Sequence, residues 1–221
     1  VTTCQNYSKT YIIYMAIESD LHNKYSLWME RPVTETLDLY ADWAANYDSD
    51  LAKAGYFTPS RIAAALIKVT TPDKKILDFG CGTGLSGKAL QSAGFSNLEG
   101  VDISAEMLKK AQFRNVYQKV WLGQPGKMVG VTLGQYEVIV AVGVVSLGAA
   151  PPETLSMIID YMAPNGLIGL SFNDPTITNG SYDTVLDKEI LLGRVCVLSR
   201  KYGPHLSEPH MGSDVIVLRR L

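Results

Sequence analysis

Two acidic residues and a glycine-rich segment between them have the types and spacing needed to bind a charged ligand. Asp78 lies near the end of the apolar run Ile76 to Phe79, and Gly80, Gly82 and Gly84 follow it. Glycines in such a turn let ligand atoms approach the backbone without meeting a Cβ atom. The amides at the start of a following helix attract a negatively charged group. The segment therefore predicts a cradle for a nucleotide-type cofactor.

Two cofactor classes compete for this cradle. Gly82, Gly84 and Gly87 satisfy the dinucleotide pattern GxGxxG, which alone is a weak signal. A dinucleotide would bring a pyrophosphate to the helix amides, where Asp78 would repel it. The same acid favours a ligand with an ammonium group, such as S-adenosylmethionine. Asp102 ends a second short strand, at the distance where a carboxylate meets a ribose diol in both cofactor classes. Asp78 thus favours S-adenosylmethionine, and an NAD(P)-dependent oxidoreductase stays the alternative.

The elements that must position these residues alternate between strands and helices. A brief apolar run closed by glycine, as at Ile76 to Phe79, is typical of a buried parallel strand, and helical periodicity resumes at Leu85. The other expected strands are the one that ends at Asp102, Gln118 to Leu122, Tyr136 to Val142, Leu167 to Phe172, Arg194 to Arg200 and Asp214 to Leu221. This alternation implies an α/β fold with a doubly wound, mostly parallel seven-stranded sheet. The last two strands have no evident helix between them, which predicts a terminal hairpin with one antiparallel strand.

Apolar periodicity also places the helices. They are expected at Thr34 to Leu51, from Thr58 as N-cap with Pro59 in the first turn, from Ser104 to Phe113, and around Tyr182 to Leu192. In the first of these helices Tyr40 and Tyr47 belong to an aromatic stripe. The stripe either packs on the core or forms a lid that touches the methionine end of the cofactor, since a π-face attracts a sulfonium.

Composition narrows the class of protein. The chain has 221 residues, is 47% hydrophobic and carries a net charge of −2, which suits one domain with a sizeable core. Its basic residues are scattered in pairs, so we expect no nucleic-acid partner. The three cysteines are far apart and show no metal-ligand spacing, which favours a reducing compartment and no metal. No apolar stretch reaches the roughly 20 residues of a membrane span, so we expect a cytoplasmic protein without membrane contact.

Two motifs carry a resemblance to a known family. LDFGCGTG (Leu77 to Gly84) and GVDIS (Gly100 to Ser104) resemble the class I S-adenosylmethionine-dependent methyltransferases. YADWAANYDSDL before them, and LKKAQFRNVYQKV and APNGLIGLS after them, look like the small-metabolite branch related to ubiquinone and menaquinone biosynthesis enzymes. The sequence is also similar to the Williams–Beuren-region methyltransferase-like group. The resemblance covers roughly Val33 to Leu221 and implies methyl transfer to a small molecule, with S-adenosylhomocysteine as the product.

The resemblance divides the chain and assigns cofactor contacts. We expect residues 1–32 to be an N-terminal extension, and residues 33–221 to be one methyltransferase domain with lid helices at 34–68. In the family an acid after the third strand often binds the adenine amino group. Gly123 and Gln124 stand there instead, although the Gln124 carbonyl could accept the same hydrogen bond. The expected cofactor-binding residues are Tyr47, Asp78, Gly80, Cys81, Gly82, Gly84, Asp102, Ile103, Met107, Leu122, Gln124 and Val142.

The sequence gives weaker evidence for catalytic residues than for cofactor-binding residues. Methyl transfer from a sulfonium is an in-line displacement that requires no covalent residue, although a hydroxyl acceptor can need a base. His205, expected in a turn after the sixth strand, and Asp174, which precedes Pro175, are the candidates. The plainer interpretations are a solvated loop histidine and a turn-forming acid. Because no catalytic signature is obligatory, a non-catalytic S-adenosylmethionine-binding protein is a further alternative. The acceptor and the oligomeric state stay open.

Overall fold

The structure is a computed structural model that describes residues 25–208 and 210–221. Most of the N-terminal extension predicted from the sequence, residues 1–24, lies outside this description. The helices are α1 Val33–Trp43, α2 Tyr47–Ala54, α3 Thr58–Leu66, α4 Leu85–Ser92, α5 Ala105–Arg114, α6 Glu153–Tyr161, α7 Asp174–Asn179 and α8 Ser181–Leu191. The strands are β1 Ile76–Phe79, β2 Leu98–Asp102, β3 Lys119–Leu122, β4 Val138–Ala141, β5 Leu167–Asn173, β6 Val195–Leu206 and β7 Met211–Arg220.

The strands form one sheet in the order β3-β2-β1-β4-β5-β7-β6. The five strands from β3 to β5 pair in parallel, whereas β7 is antiparallel to both β5 and β6. The predicted seven-stranded, mostly parallel sheet with an antiparallel terminal strand is therefore confirmed. Strand order reverses on either side of β1, and open α/β sheets bind ligands at the carboxyl edge of such a point.

Helices cover both faces of the sheet. On one face α3 and α4 bury Ile62, Leu66 and Leu90, and on the other α6 buries Leu155 and Ile158. Strands β4 and β5 lie between these layers and are buried along their whole length. Full burial of such aliphatic side chains stabilises the fold by about 1.5–3 kcal/mol each. The carboxyl ends of β1, β2 and β4 are thus held on a rigid support.

The first predicted helix is two helices in the structure. The prediction of one helix over Thr34 to Leu51 was wrong, because the chain turns between Trp43 and Tyr47. The Trp43 ring is buried, and its indole Nε1 donates a hydrogen bond to Asp50 Oδ2 of α2 at 2.9 Å. Ala44 and Ala45 in the turn are good helix formers, so propensity alone did not reveal the break.

The hairpin strands are longer than predicted. Tyr202 to His205, expected as a turn, belong to β6, and the β6–β7 pairing runs as far as Leu206 opposite Met211. Pro204 is tolerated there because β6 is an edge strand, where a missing backbone N–H need not break a ladder. The prediction of Thr58 as an N-cap was also wrong, since Phe57 is the N-cap and the Thr58 hydroxyl contacts His205 instead.

Candidate functional site

The glycine turn between β1 and α4 lies at the carboxyl edge of the sheet. Gly80 and Gly82 have positive φ angles of 73° and 53°, which L side chains rarely adopt. A Cβ atom on Gly80 would lie 2.3 Å from Val144 Cγ2, whereas a Cβ on Gly82 would have nothing within 4 Å. A side chain at Gly80 would therefore clash with Val144, whereas the backbone of Gly82 borders open space.

Asp102 at the end of β2 ties this turn to the neighbouring strand. Its Oδ2 accepts a hydrogen bond from the Gly82 amide at 2.7 Å, and its Oδ1 accepts one from the Ser104 amide at 2.8 Å. Burial raises the pKa of the carboxyl, and these amide hydrogen bonds oppose the rise. The carboxylate has about four acceptor positions, so it can still accept from a further donor.

The turn and Asp102 face a crevice, a cavity of about 140 Å³. It brings together eight of the predicted cofactor residues: Tyr47, Gly80, Gly82, Asp102, Ile103, Met107, Gln124 and Val142. Sequence reasoning missed other parts of its wall, such as Thr36 on α1 and Pro151 and Met157 beyond β4. The signal for α1 was its periodicity, because Thr36 and Tyr40 stand four residues apart on one helical face. The residues after β4 gave no comparable pattern.

Asp78 lies behind the glycine turn and does not line the crevice. Its side chain is fully buried, and its Oδ2 accepts from Ser86 Oγ at 2.5 Å and from Tyr117 Oη at 2.6 Å. The other oxygen, Oδ1, has no hydrogen-bond partner among the described residues. Burial raises the pKa of Asp78 to about 6, and the nearby Asp102 charge adds to this rise. An unpartnered carboxylate oxygen is costly in such a place.

The remaining three predicted cofactor residues also lie outside the crevice wall. The Cys81 side chain is buried against Leu108 and Ala111, and burial raises the pKa of its thiol, which disfavours a reactive thiolate. Gly84 is the N-cap of α4. Leu122 is 54% exposed at the end of β3. These residues shape or flank the turn without facing its open side.

Helix α2 is fastened to the glycine turn by a polar cluster. Asp48 Oδ1 accepts from Thr83 Oγ1 at 2.5 Å, and its other oxygen forms an ion pair with Arg114. Arg114 also donates from Nε to the Thr83 carbonyl at 2.7 Å. Tyr47, at the start of α2, is held in this way in the wall of the crevice.

The two candidate catalytic residues have different surroundings. His205 is buried within β6, where its Nδ1 lies 2.7 Å from Thr58 Oγ1, and burial lowers its pKa to about 3. It lines a second cavity of about 70 Å³ that adjoins the crevice. Asp174, at the start of α7, accepts from Tyr202 Oη at 2.9 Å and from the Gly212 amide at 2.7 Å. Asp174 lines neither cavity and fastens α7 to the hairpin.

Within residues 25–208 and 210–221, no group of three or more His, Cys, Asp and Glu side chains could hold a metal ion. In the same part of the chain, no helix has the length and apolar character needed to cross a membrane.

Comparison with known families identifies the class of protein. A family model described as a methyltransferase domain matches residues 51–194, which is more than half of the chain. The chain therefore belongs to the methyltransferase domain family, and its resemblance to the class I S-adenosylmethionine-dependent methyltransferases is confirmed. The predicted cofactor, S-adenosylmethionine, is the cofactor of this class.

Individual relatives support the same class. The chain is 33% identical to human methyltransferase-like protein 27 over 154 residues, 67% of this chain and 60% of that protein. It is 34% identical to the bovine 18S rRNA (guanine-N(7))-methyltransferase over 110 residues, 45% of this chain and 38% of that protein. The chain thus spans less than two thirds of the length of these relatives.

Solved structures share the fold. One is a chain of the complex that contains the Trm112 methyltransferase activator of Haloferax volcanii, with a TM-score of 0.65 and 14% identity over 84% of this chain and 97% of that chain. Another is an S-adenosylmethionine-dependent methyltransferase from Mesorhizobium loti, with a TM-score of 0.54 and 13% identity over 71% of this chain and 96% of that chain.

Proposed function

We propose that this chain transfers a methyl group from S-adenosylmethionine to a small-molecule acceptor by in-line displacement. The observation that carries the proposal is Asp102, which reaches from β2 to the Gly82 amide and faces the crevice with acceptor positions to spare. A ribose diol presents two adjacent hydroxyl donors to such a carboxylate. Asp102 would therefore hold the sugar of the cofactor.

The residues of the crevice fit the rest of the cofactor. Gly82 leaves open space where a Cβ atom would stand, so a ligand can approach the backbone. Behind the turn, Asp78 has an unpartnered oxygen whose negative charge favours an ammonium group nearby. Ile103 and Met107 offer apolar surfaces for an adenine ring. The Gln124 carbonyl accepts from the Lys127 amide at 3.1 Å and has a second lone pair for the adenine amino group.

The protein's task is mainly to align and enclose the reactants. When bound, S-adenosylmethionine supplies a methyl carbon on a positively charged sulfur; displacement leaves the carbon–sulfur electron pair on S-adenosylhomocysteine, and the acceptor's proton leaves to water. Alignment of this kind contributes up to roughly 7–11 kcal/mol in the best-oriented reactions. Tyr40 and Tyr47 line the crevice beside Val142 and Gly143, so they would shield the reacting end from solvent.

The character of the second cavity favours a small, uncharged acceptor. Among the described residues, its lining contains no Asp, Glu, Lys or Arg side chain. An RNA acceptor is held mainly by Lys and Arg contacts to its phosphates. Only Lys127 supplies a basic side chain to the described crevice wall. The bovine relative is named for an rRNA substrate, so RNA is a second acceptor to be tested.

Two measurements test the proposal. Calorimetric titration with S-adenosylhomocysteine and, separately, with NAD should give heat only with the former. Methyl-labelled S-adenosylmethionine is then incubated with the protein and either a metabolite extract or purified RNA. Label in the small-molecule fraction supports the proposal. Label only in RNA would show that the acceptor is RNA and not a small molecule. Binding of the cofactor without transfer to either fraction would favour a non-catalytic binding protein.

A further inference from the structure

The second cavity, here called the aromatic cavity, opens beside the reacting end of the crevice. It shares Tyr40, Tyr47, Val142 and Gly143 with the crevice. The rest of its described lining is Leu27, Trp28, Trp43, Leu51, Tyr56, Ser146, Leu147, Ala149, Asn173, His205 and Leu206. Its volume of about 70 Å³ gives room for about five water-sized groups.

Asn173 directs hydrogen-bond donors to this cavity. The residue is 6% exposed, and its Oδ1 accepts from the Thr176 amide at 3.2 Å and from Thr176 Oγ1 at 2.6 Å. The amide nitrogen Nδ2 must then occupy the other position of the side chain. Within residues 25–208 and 210–221, this nitrogen makes no hydrogen bond. Two N–H donors are therefore available to an occupant of the cavity.

A buried hydrogen-bond chain sets the tautomer of His205. Arg61 Nη1 can only donate, and it lies 2.8 Å from Ser213 Oγ. Ser213 Oγ lies 3.2 Å from Thr58 Oγ1, which lies 2.7 Å from His205 Nδ1. If Ser213 accepts from Arg61 and donates to Thr58, then Thr58 donates to Nδ1. The opposite direction would leave the hydrogen of the fully buried Ser213 hydroxyl without an acceptor.

His205 therefore presents a donor to the aromatic cavity. With Nδ1 acting as acceptor, the ring proton resides on Nε2, which makes no hydrogen bond to the described residues. Burial and the Arg61 charge lower the pKa of the ring to about 3, so it is neutral at pH 7. A ring that already carries its proton on Nε2 is a poor base toward the cavity.

The lining of the aromatic cavity disfavours an anionic occupant. Burial raises the pKa of Tyr40 to about 12 and also raises the pKa of Tyr47, so both hydroxyls stay neutral. A carboxylate or phosphate in the cavity would lose its hydration without gaining a cationic partner, which is costly. Flat rings suit such walls because aromatic side chains pack on them in offset-stacked or edge-to-face arrangements.

From these observations we infer that the aromatic cavity is the acceptor site, and that it takes a flat, uncharged ring or enol that bears a carbonyl oxygen. That oxygen accepts hydrogen bonds from Asn173 Nδ2 and His205 Nε2. The inference rests on the proposed function, since the adjoining crevice must hold the methyl donor. His205 is then a binding residue for the acceptor and not a general base.

A set of three matched probes tests the chemistry of the site. The full chain, saturated with S-adenosylhomocysteine, is titrated by NMR with 4-hydroxyacetophenone, with the charged 4-hydroxybenzoate and with 4-ethylphenol, which lacks the carbonyl. We expect the acetophenone to bind at least tenfold more tightly than either of the others. Equal or tighter binding of the benzoate or of ethylphenol, or no binding of the acetophenone at 10 mM, a limit of about 2.7 kcal/mol, would overturn the inference.

A conservative variant tests Asn173. Asn173→Asp keeps the Oδ1 that caps α7 and replaces the N–H donors with an acceptor. We expect it to weaken acetophenone binding at least tenfold and to leave S-adenosylhomocysteine affinity within twofold. Asn179→Asp is the matched control, because Asn179 is a helix-terminal amide that also accepts through Oδ1 and lies outside both cavities. An unchanged acetophenone affinity in Asn173→Asp would contradict the inference.

The tautomer gives an independent measurement. In protein labelled with ¹⁵N-histidine, the long-range ¹H–¹⁵N spectrum should show His205 protonated on Nε2 alone from pH 5 to 8. A proton on Nδ1, or titration within that range, would refute the donor role. Failure of S-adenosylhomocysteine itself to bind would count against the proposed function, and a failure of the probes in its presence counts against the acceptor site alone.

Discussion

Replacement of Asp102 separates its contribution to the turn from its contribution to the ligand. In Asp102→Ala, the amides of Gly82 and Ser104 lose the carboxylate oxygens that they contact at 2.7 and 2.8 Å. The Gly82 amide lies beside the open crevice and regains some hydration, whereas Ser104 is buried. We therefore expect the free energy of unfolding to fall by about 1–3 kcal/mol, less than the full cost of two buried charged hydrogen bonds.

The same substitution should also weaken the binding of S-adenosylhomocysteine. Loss of a charged group that accepts from the ribose hydroxyls is expected to weaken S-adenosylhomocysteine binding by about 1.5–3 kcal/mol, or about 10- to 150-fold. Calorimetry on protein shown to be folded measures this change directly. Glu106→Ala is the control, because Glu106 is an acid of the following helix that lies outside the crevice wall. If Asp102→Ala binds within twofold of the unaltered chain, then the ribose does not lie on Asp102.

Two further predictions concern the glycine turn. The raised pKa of Asp78 favours the neutral carboxyl in the folded state, so its contribution of about 3 kcal/mol is present below pH 4 and lost as the pH rises through about 6. An ammonium ligand favours the ionised form, and S-adenosylhomocysteine affinity should therefore rise between pH 5 and 7, with a flat profile in Asp78→Asn; a rise that persists in that variant would exclude Asp78 as its source. Gly82→Ala and Gly193→Ala both place a Cβ at positive φ with nothing within 4 Å, and each should lower the free energy of unfolding by about 1–2 kcal/mol in urea titrations. Only Gly82 lines the crevice, so only its variant should lose affinity at least tenfold; equal affinity in both variants would place the ligand elsewhere.

The elements around the motifs were predictable because their signals are local. Glycines at positive φ and an apolar run closed by an acid are properties of consecutive residues, and β1, the turn and Asp102 lie where these patterns placed them. His205 was different. Its burial depends on Thr58, 147 residues away in sequence, and on an edge strand that tolerates Pro204. No local pattern carries that pairing, so the sequence predicted a solvated loop.

Asp78 shows the same limit within the motif itself. The position of Asp78 before the glycines could be predicted from the sequence. The orientation of its side chain depends on Tyr117, which follows α5 and donates to it from 39 residues away. The Gly87 amide donates to Tyr117 Oη at 3.1 Å, and a Cβ atom on Gly87 would lie 2.4 Å from that oxygen. The third glycine of the apparent GxGxxG pattern therefore makes room for Tyr117. Packing, and not a pyrophosphate, explains that glycine.

The buried Asp78 carboxylate and helix α2 can be understood as parts of one arrangement. The free protein holds Asp78 with one oxygen unpartnered, a cost that a nearby ammonium group would reduce. The same turn is fastened to α2 through Thr83 and Asp48, and α2 carries Tyr47 to the boundary between the crevice and the aromatic cavity. A ligand that stabilises the turn therefore also stabilises the support of Tyr47. Binding of the methyl donor should in this way order the wall of the acceptor site before the acceptor enters.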